Sequence, residues 1–467
     1  MHVRRTLLHI AIYAGSTLLY ACLLYATPRT SFFQLLGLFA ALFAGYFLII
    51  GKSLLRKPLP SFSPLQWRSM LLAAIAFRLL AVFSLPNLSD DYYRFVWDGR
   101  LLSHGANPFL KLPSEYMQQP DVAAKLGLSQ QLYQGLNSPN YFTIYPPLNQ
   151  AVFWMAARVF PRDLYAAVVC MKGVLFLAEL GSLYLLFLLL ARWKLPREYL
   201  AIYALNPLVI AELVGNLHFE ALMIVFLLWS MYLFEVGKWR IAAAPYALAV
   251  CSKLLPLMLL PLLLRRLGFR RSLIFGLLLA LGTGLCFLPF FDLHTFRHLM
   301  ESVSLYFQKF EFNASIYYLL RWVGFQVKGY NIIQTAGKYL SAITLAGILL
   351  IALLERRPRW KTLPASMLWA FVLYFGLASI VHPWYICTLV ALATLCNWRF
   401  PLIWAALLPL TYFTYISPSY QENLYLVATE YVLVLIWMVW EISKEDFNKI
   451  RTNFALFPFK RMNDHAD

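Results

Sequence analysis

Leu88 to Phe109, LSDDYYRFVWDGRLLSHGANPF, divides this chain into apolar and polar parts. It follows an apolar run from Met70 to Pro86 and opens the longest polar segment of the chain. The paired acids Asp90 and Asp91 therefore stand where an apolar helix ends. Tyr92, Tyr93, Phe95 and Trp97 surround them, and aromatics of this kind collect at lipid–water boundaries. Outward from this stretch nearly everything is apolar: 61% of the 467 residues are hydrophobic and only 13% are charged. A single soluble core has no room for so much apolar surface, so the solvent this chain is built for is lipid. The sequence predicts an all-α membrane protein, a polytopic helical bundle.

About 20 apolar residues cross a bilayer. That rule places twelve spans, at about 7–26, 32–50, 69–86, 164–191, 198–214, 219–234, 272–291, 332–354, 363–381, 384–398, 400–416 and 424–441. Residues 241–264 have basic groups at both ends and are interrupted by Pro256 and Pro261, so they read as a re-entrant helix pair with Lys253 near its tip. A large first outer loop, 87–163, carries interfacial pieces such as Gln150 to Phe160, and a second outer loop runs over 292–331. The expected divisions are an N-terminal two-span hairpin (1–65), a transmembrane core (66–400), C-terminal spans (401–441) and a cytoplasmic tail (442–467).

The formal net charge of +18 suggests nucleic acid until the positions are read. Inner connections and chain ends hold 25 Lys and Arg, against 11 in the outer turns and loops. That is the positive-inside pattern, with both termini cytoplasmic, as in a multi-pass protein of a cell inner membrane. No basic amphipathic stripe or nucleic-acid reader is present. All six cysteines lie in apolar runs without C-x-x-C spacing, and read as small buried hydrophobes. MHVRR followed by Thr6 to Ala26 has the order of a signal peptide, but its length and the second span behind it favour an uncleaved first helix.

Placed this way, unusual polar residues gather at the outer ends of the spans: Asp90, Asp91, Arg94, Asp98, Arg100, Asn216, His218, Glu220, Lys253, Asn313 and His382. Asp90 and Asp91 read either as helix-terminus acids held by Arg94 or Arg100, or as a general base. Two adjacent acids are a weak metal signal, so a divalent cation, Mg or Mn, stays open, and no other cofactor is implied. Arg78 lies inside the third span, where a guanidinium needs a partner, with Glu179 the nearest chemical candidate and Lys172 a competitor for it. Lys253 is either a snorkelling lysine or a point charge for a phosphate. His218 and His382 are core-satisfied or phosphate donors, and Trp384 and Tyr385 interface anchors or a substrate platform. No Walker or Rossmann glycine pattern occurs.

Six motifs in order resemble the GT-C superfamily of integral-membrane glycosyltransferases. The likeness is to bacterial polyprenyl-phosphate-sugar mannosyltransferase-like proteins and to the GPI mannosyltransferase I catalytic subunit family. Ser89-Asp90-Asp91-Tyr92-Tyr93-Arg94 through Trp97-Asp98-Gly99-Arg100 to Gly105-Ala106-Asn107-Pro108-Phe109 looks like their first outer loop, and Tyr145-Pro146-Pro147-Leu148 like the turn closing it. Leu205-Asn206-Pro207-Leu208 with Asn216, Lys253-Leu254-Leu255-Pro256, Asn313-Ala314-Ser315-Ile316-Tyr317 and His382-Pro383-Trp384-Tyr385 follow, so the likeness covers about 66–400. Two departures stand out. Adjacent Asp90-Asp91 replaces D-x-D, and Phe219-Glu220 replaces an A-D pair.

The resemblance implies an inverting transfer of a hexose, mannose by likeness, from a polyprenyl phosphate donor to an extracytoplasmic glycan or glycolipid acceptor. Asp91 or Asp90 would be the base, with Lys253, Arg94, Arg100, His218, Glu220, Asn313, His382 and Tyr385 around the substrate and its phosphate. A donor carried in the lipid phase makes a nucleotide-binding domain unnecessary. The alternatives from other classes are a transporter that flips a lipid-linked saccharide and a non-catalytic assembly subunit. A transporter needs a hydrophilic path and often shows inverted repeats, and neither is visible here.

Overall fold

The computed structural model describes residues 2–444 except Arg56 and Pro58; the rest of the expected tail, beyond Lys444, lies outside the described residues. The protein is 75% helical, with no strand among the described residues. Among the described residues, seven helices are long and apolar enough to cross a membrane: Arg4–Tyr25, Phe32–Leu54, Pro64–Val82, Leu164–Arg192, Phe269–Phe290, Ile333–Leu354 and Leu424–Lys444. Leu277, Leu281 and Leu285 stay exposed along one face of Phe269–Phe290, an apolar row suited to lipid.

The other five expected spans are shorter or broken. Residues 197–215 form two pieces bent by 51° where Asn206 and Pro207 interrupt the helix. Pro207 has no N–H to continue the ladder, and the Asn206 side chain caps the new start by accepting from the N–H groups of Leu208 and Val209. The run at 219–234 is the helix Glu220–Glu235, of the expected 16 residues, and that at 363–381 becomes the shorter helix Leu363–Leu377. Those at 384–398 and 400–416 become Ile386–Leu395 and Phe400–Leu407, each joined to a stretch of 3₁₀-helix. Within 241–264 the helix Ala243–Ser252 stops at Lys253, which is extended, and Pro261–Leu267 resumes beyond it.

Contacts define two ends of the bundle. At one, Arg5 lies over Phe62, whose N–H donates to Glu198, while Arg399 lies over the neighbouring Tyr199 and donates its own N–H to Glu441. The first and last described helices thus meet at a basic end that also holds Arg192 and Lys361, the latter donating to the Trp193 carbonyl. At the other end the turn carrying Arg29 meets the acidic stretch.

Charge inside the bundle is paired or hydrogen-bonded. Arg78 Nε is 3.0 Å from Glu179 Oε2, and its Nη1 donates to the Ala204 carbonyl at 2.7 Å, one of those freed by the break at Pro207. Lys172 leaves Glu179 alone and donates to the carbonyls of Ser84 and Gly215, both at 2.6 Å. Removing one partner of a buried pair strands the other. Glu179→Ala is therefore expected to cost about 3 kcal/mol of stability, measured as a lower Tm in detergent, and Glu179→Gln, which keeps the bond from Tyr203, less.

The acidic stretch folds as the helix Asp91–Ser103, packed along Pro147–Val159. The two backbones approach so closely that a Cβ on Gly99 would lie 2.3 Å from the Phe153 carbonyl oxygen, so only glycine fits there. Pro147–Val159 in turn donates from Asn149 Nδ2 to the Ser252 carbonyl at 2.9 Å, and Ser252 Oγ donates to the Phe219 carbonyl at 3.0 Å. The break at Lys253 is therefore held beside the outer loop by hydrogen bonds from two directions.

Candidate active site

Asp90 and Asp91 begin their helix on the end of the bundle that carries Arg29. Asp90 forms an ion pair with Arg29, whose guanidinium also lies 4.7 Å from the Tyr415 ring centre. Asp91 accepts from Asn137 Nδ2 at 2.8 Å and is hydrogen-bonded by the Tyr145 hydroxyl. Burial, and then the Asp91 carboxylate, push the Tyr145 phenol well above its usual range, so it serves Asp91 as a donor. Adjacent in sequence, the two acids have different partners.

Arg94 and Arg100 are committed elsewhere. Arg94 Nε pairs with Asp98 at 2.8 Å, and its Nη1 donates to the carbonyls of Ser138 and Tyr141. The buried Asp98 also accepts from Thr143 at 2.6 Å and Gln150 at 3.0 Å. This network folds 138–150 back over the helix and sets Tyr145 beside Asp91. Arg100, nine residues on from Asp91 and so roughly 13 Å along the helix, donates to the carbonyls of Gly127 and Arg162.

A second cluster forms around the break at Lys253. Lys253 Nζ is 2.7 Å from Glu220 Oε1 and 5.4 Å from the Tyr385 ring centre. Glu220 is 1% exposed and its lysine partner 24%, so the acid is anchored inside while the ammonium reaches the opening. His218 stacks on Trp384 at 3.6 Å, and His382 stacks on the same indole at 4.3 Å. His218 Nε2 also lies 3.4 Å from the fully buried Glu212, which accepts from Asn216 and from the Tyr412 hydroxyl. Leu217, between Asn216 and His218, has a φ of +61°, left-handed backbone that non-glycine residues rarely adopt and that aims the histidine.

Burial lowers the His382 pKa to about 3, with the charges of His218 and Lys253 adding to the effect. His382 therefore stays neutral at working pH. Its protonation is favoured only in the unfolded chain, so it removes stability as the pH falls below 6.5 toward 3. His382→Gln is expected to make the fall of Tm between pH 6.5 and 4 shallower than in the wild type.

Asn313 is held away from both clusters. Its N–H donates to Glu422, its Nδ2 to Glu430 at 3.1 Å, and its carbonyl accepts from Tyr431 at 2.6 Å. Its neighbour Phe312 makes a β-bridge to Ile380, two residues before His382. Asn313 thus positions the segment that carries His382.

An apolar cavity of about 480 Å³ joins the clusters. Tyr145, Lys253 and Tyr385 line it together with Leu255, Met258 and one face of Ile333–Leu354. That face runs from Gly337 to Ile348, roughly 16 Å of helix. The geometry brings together Lys253, Glu220, His218, His382 and Tyr385; Asp91 neighbours Tyr145 but is not itself in the cavity lining, and Asp90 turns to Arg29. The sequence did not single out Glu212 or Asn137, and it offered Tyr145 only as part of the turn that closes the outer loop. The signal for Glu212 was an acid inside the apolar run LVIAELVG, where an ionisable group needs a reason; nothing in the sequence ties Asn137 to Asp91. Among the described residues no three His, Cys, Asp or Glu side chains converge to hold a metal ion, and Asp90 turns to Arg29.

An ammonium at the wall of an apolar cavity suits the transfer of a group whose carrier is greasy and whose leaving group is anionic. A search of the curated proteins finds no match. The model of the MptA_B family, alpha-(1->6)-mannopyranosyltransferase, N-terminal domain, matches residues 10–267, from the first helix to the end of Pro261–Leu267, and includes Asp91, Glu212, Glu220 and Lys253. The chain belongs to this mannosyltransferase family, and is a GT-C-like membrane glycosyltransferase.

Proposed function

We propose that this protein transfers mannose, with inversion, from a polyprenyl phosphate to a glycan or glycolipid acceptor on the extracytoplasmic side of a cell inner membrane. The observation that carries the reading is the apolar cavity with Lys253 and the Asp91-bound Tyr145 in its lining. The polyprenyl chain occupies the groove along Ile333–Leu354, and the phosphate sits at Lys253. The strong excess of cations in the opposite connections supports an extracytoplasmic site with both termini cytoplasmic.

Asp91 takes the proton of the acceptor hydroxyl. The oxygen attacks the anomeric carbon from the face opposite the phosphate, through an oxocarbenium-like transition state. The bond from the anomeric carbon to the phosphate oxygen breaks, its electron pair leaves with the lipid phosphate, and Lys253 meets the developing charge. A phosphate leaves without a proton, so a single carboxylate suffices where a glycosidase needs two. Glu220 keeps Lys253 at the cavity mouth, and the neutral His382 offers an N–H to a phosphate oxygen.

The test supplies the purified protein with labelled polyprenyl-phosphate mannose or a labelled sugar nucleotide, together with an acceptor. Transfer is expected only from the lipid donor, with the anomeric configuration inverted in the product. Direct use of the sugar nucleotide would overturn the donor assignment. Label that stays on its lipid while changing leaflet would replace the enzyme reading by the transporter.

A further inference from the structure

A second cavity, about 450 Å³, opens at the basic end between the connections that follow Leu164–Arg192 and Ile333–Leu354. Five cations line it, Arg192, Lys194, Arg266, Arg359 and Lys361, against one acid, Glu235. Some of this charge has a partner: Arg266 pairs with Glu355 at 2.6 Å, and Arg192 lies 3.6 Å from Glu235. Lys194 and Arg359 are exposed. Trp193 and Trp360 complete the lining.

Two further observations point to a ligand. Trp193 is 4% exposed, yet its indole Nε1 has no hydrogen-bond partner among the described residues. Lys194 has a φ of +53° where the long helix ends, its N–H donating to the Ala191 carbonyl and that of Leu195 to Leu190. Glycine takes this left-handed position without strain, so a lysine there sets a charge at the cavity against the backbone's preference.

We propose that this cavity binds the phosphate of an anionic phospholipid headgroup. The lipid, rather than a free phosphate, is favoured by position: Leu264 and Phe269, two residues before and three after the lining Arg266, are exposed, as is Leu353, whose carbonyl accepts from Arg265, leaving apolar surface for acyl chains beside the cavity. Basic pockets between membrane helices, with tryptophan at the boundary, hold such headgroups. The site is separate from the transfer chemistry. Glu220 and Glu235 mark the two sites on one helix, about 22 Å apart along its axis.

Full-length protein in lipid-free detergent is titrated with phosphatidylglycerol, with phosphatidylcholine, or with inorganic phosphate. Retained lipid is counted by native mass spectrometry, and Tm is followed in parallel. One phosphatidylglycerol is expected to be retained in preference to phosphatidylcholine and to raise Tm. Arg359→Gln and Lys194→Gly should each weaken this about fivefold, the worth of one cation near a headgroup. Lys194→Gly also guards against misfolding, because it relieves the left-handed strain and should leave the lipid-free Tm unchanged or higher. Equal retention of the two lipids, or unchanged affinity in both variants, overturns the proposal. An equal rise of Tm with inorganic phosphate, without lipid preference, overturns the lipid assignment.

Discussion

Asp91→Asn is expected to lower mannosyl transfer about a thousandfold, while Asp90→Asn changes it only a few-fold. The two acids are neighbours in sequence with the same charge, so the difference comes entirely from their surroundings. Asp91 is held by Asn137 and by Tyr145, which lines the cavity, whereas Asp90 turns to Arg29. Asparagine keeps the size of the side chain and the bond from Asn137 but cannot take a proton, and general-base catalysis contributes about 10²–10⁴-fold. The Arg29–Asp90 pair is partly exposed, and such pairs contribute roughly 0–1 kcal/mol. Initial rates with a labelled lipid donor, alongside Tm for both variants, check this. Full turnover in Asp91→Asn, or equal loss in both variants, would remove Asp91 as the base.

Lys253→Gln is expected to lose both activity and stability, and the two losses separate. A well-placed donor at a developing anion contributes about 2–4 kcal/mol to the transition state, so turnover should fall roughly a hundredfold. The same change strands Glu220, 1% exposed, without its cation, and losing one partner of a buried pair costs about 3–5 kcal/mol of stability. Adding Glu220→Gln removes the stranded charge. The double variant Lys253→Gln/Glu220→Gln should recover most of the Tm and none of the rate. If the rate returns with the Tm, Lys253 is a structural lysine and the phosphate has another partner.

Much of the bundle was legible in the sequence because lipid imposes a one-dimensional rule. A run of apolar residues long enough to span must be a helix, since a spanning backbone has to satisfy its own hydrogen bonds. Seven expected spans coincide with such helices to within five residues at their ends, and the cost of an unpaired guanidinium made Glu179 a reasonable partner for Arg78. The rule weakens where proline and polar groups interrupt the run. Counting apolar residues gave 198–214 as one span, whereas Asn206 and Pro207 bend it to present Glu212, Asn216 and His218.

The sequence alone determined the material of the protein: an apolar helical bundle, a single acidic opening and an uneven spread of cations. Each follows from local composition and from what a bilayer tolerates. Which polar residues meet is set by the packing of the helices. That packing placed Arg94 and Arg100 as braces for the outer loop, drew Tyr145 and Asn137 onto Asp91, and joined Lys253 to Glu220 across 33 positions. A charged side chain reads the same in sequence whether it meets substrate or a neighbouring carbonyl. The difference lies in distances between segments far apart in the chain, and those are fixed only when the helices pack.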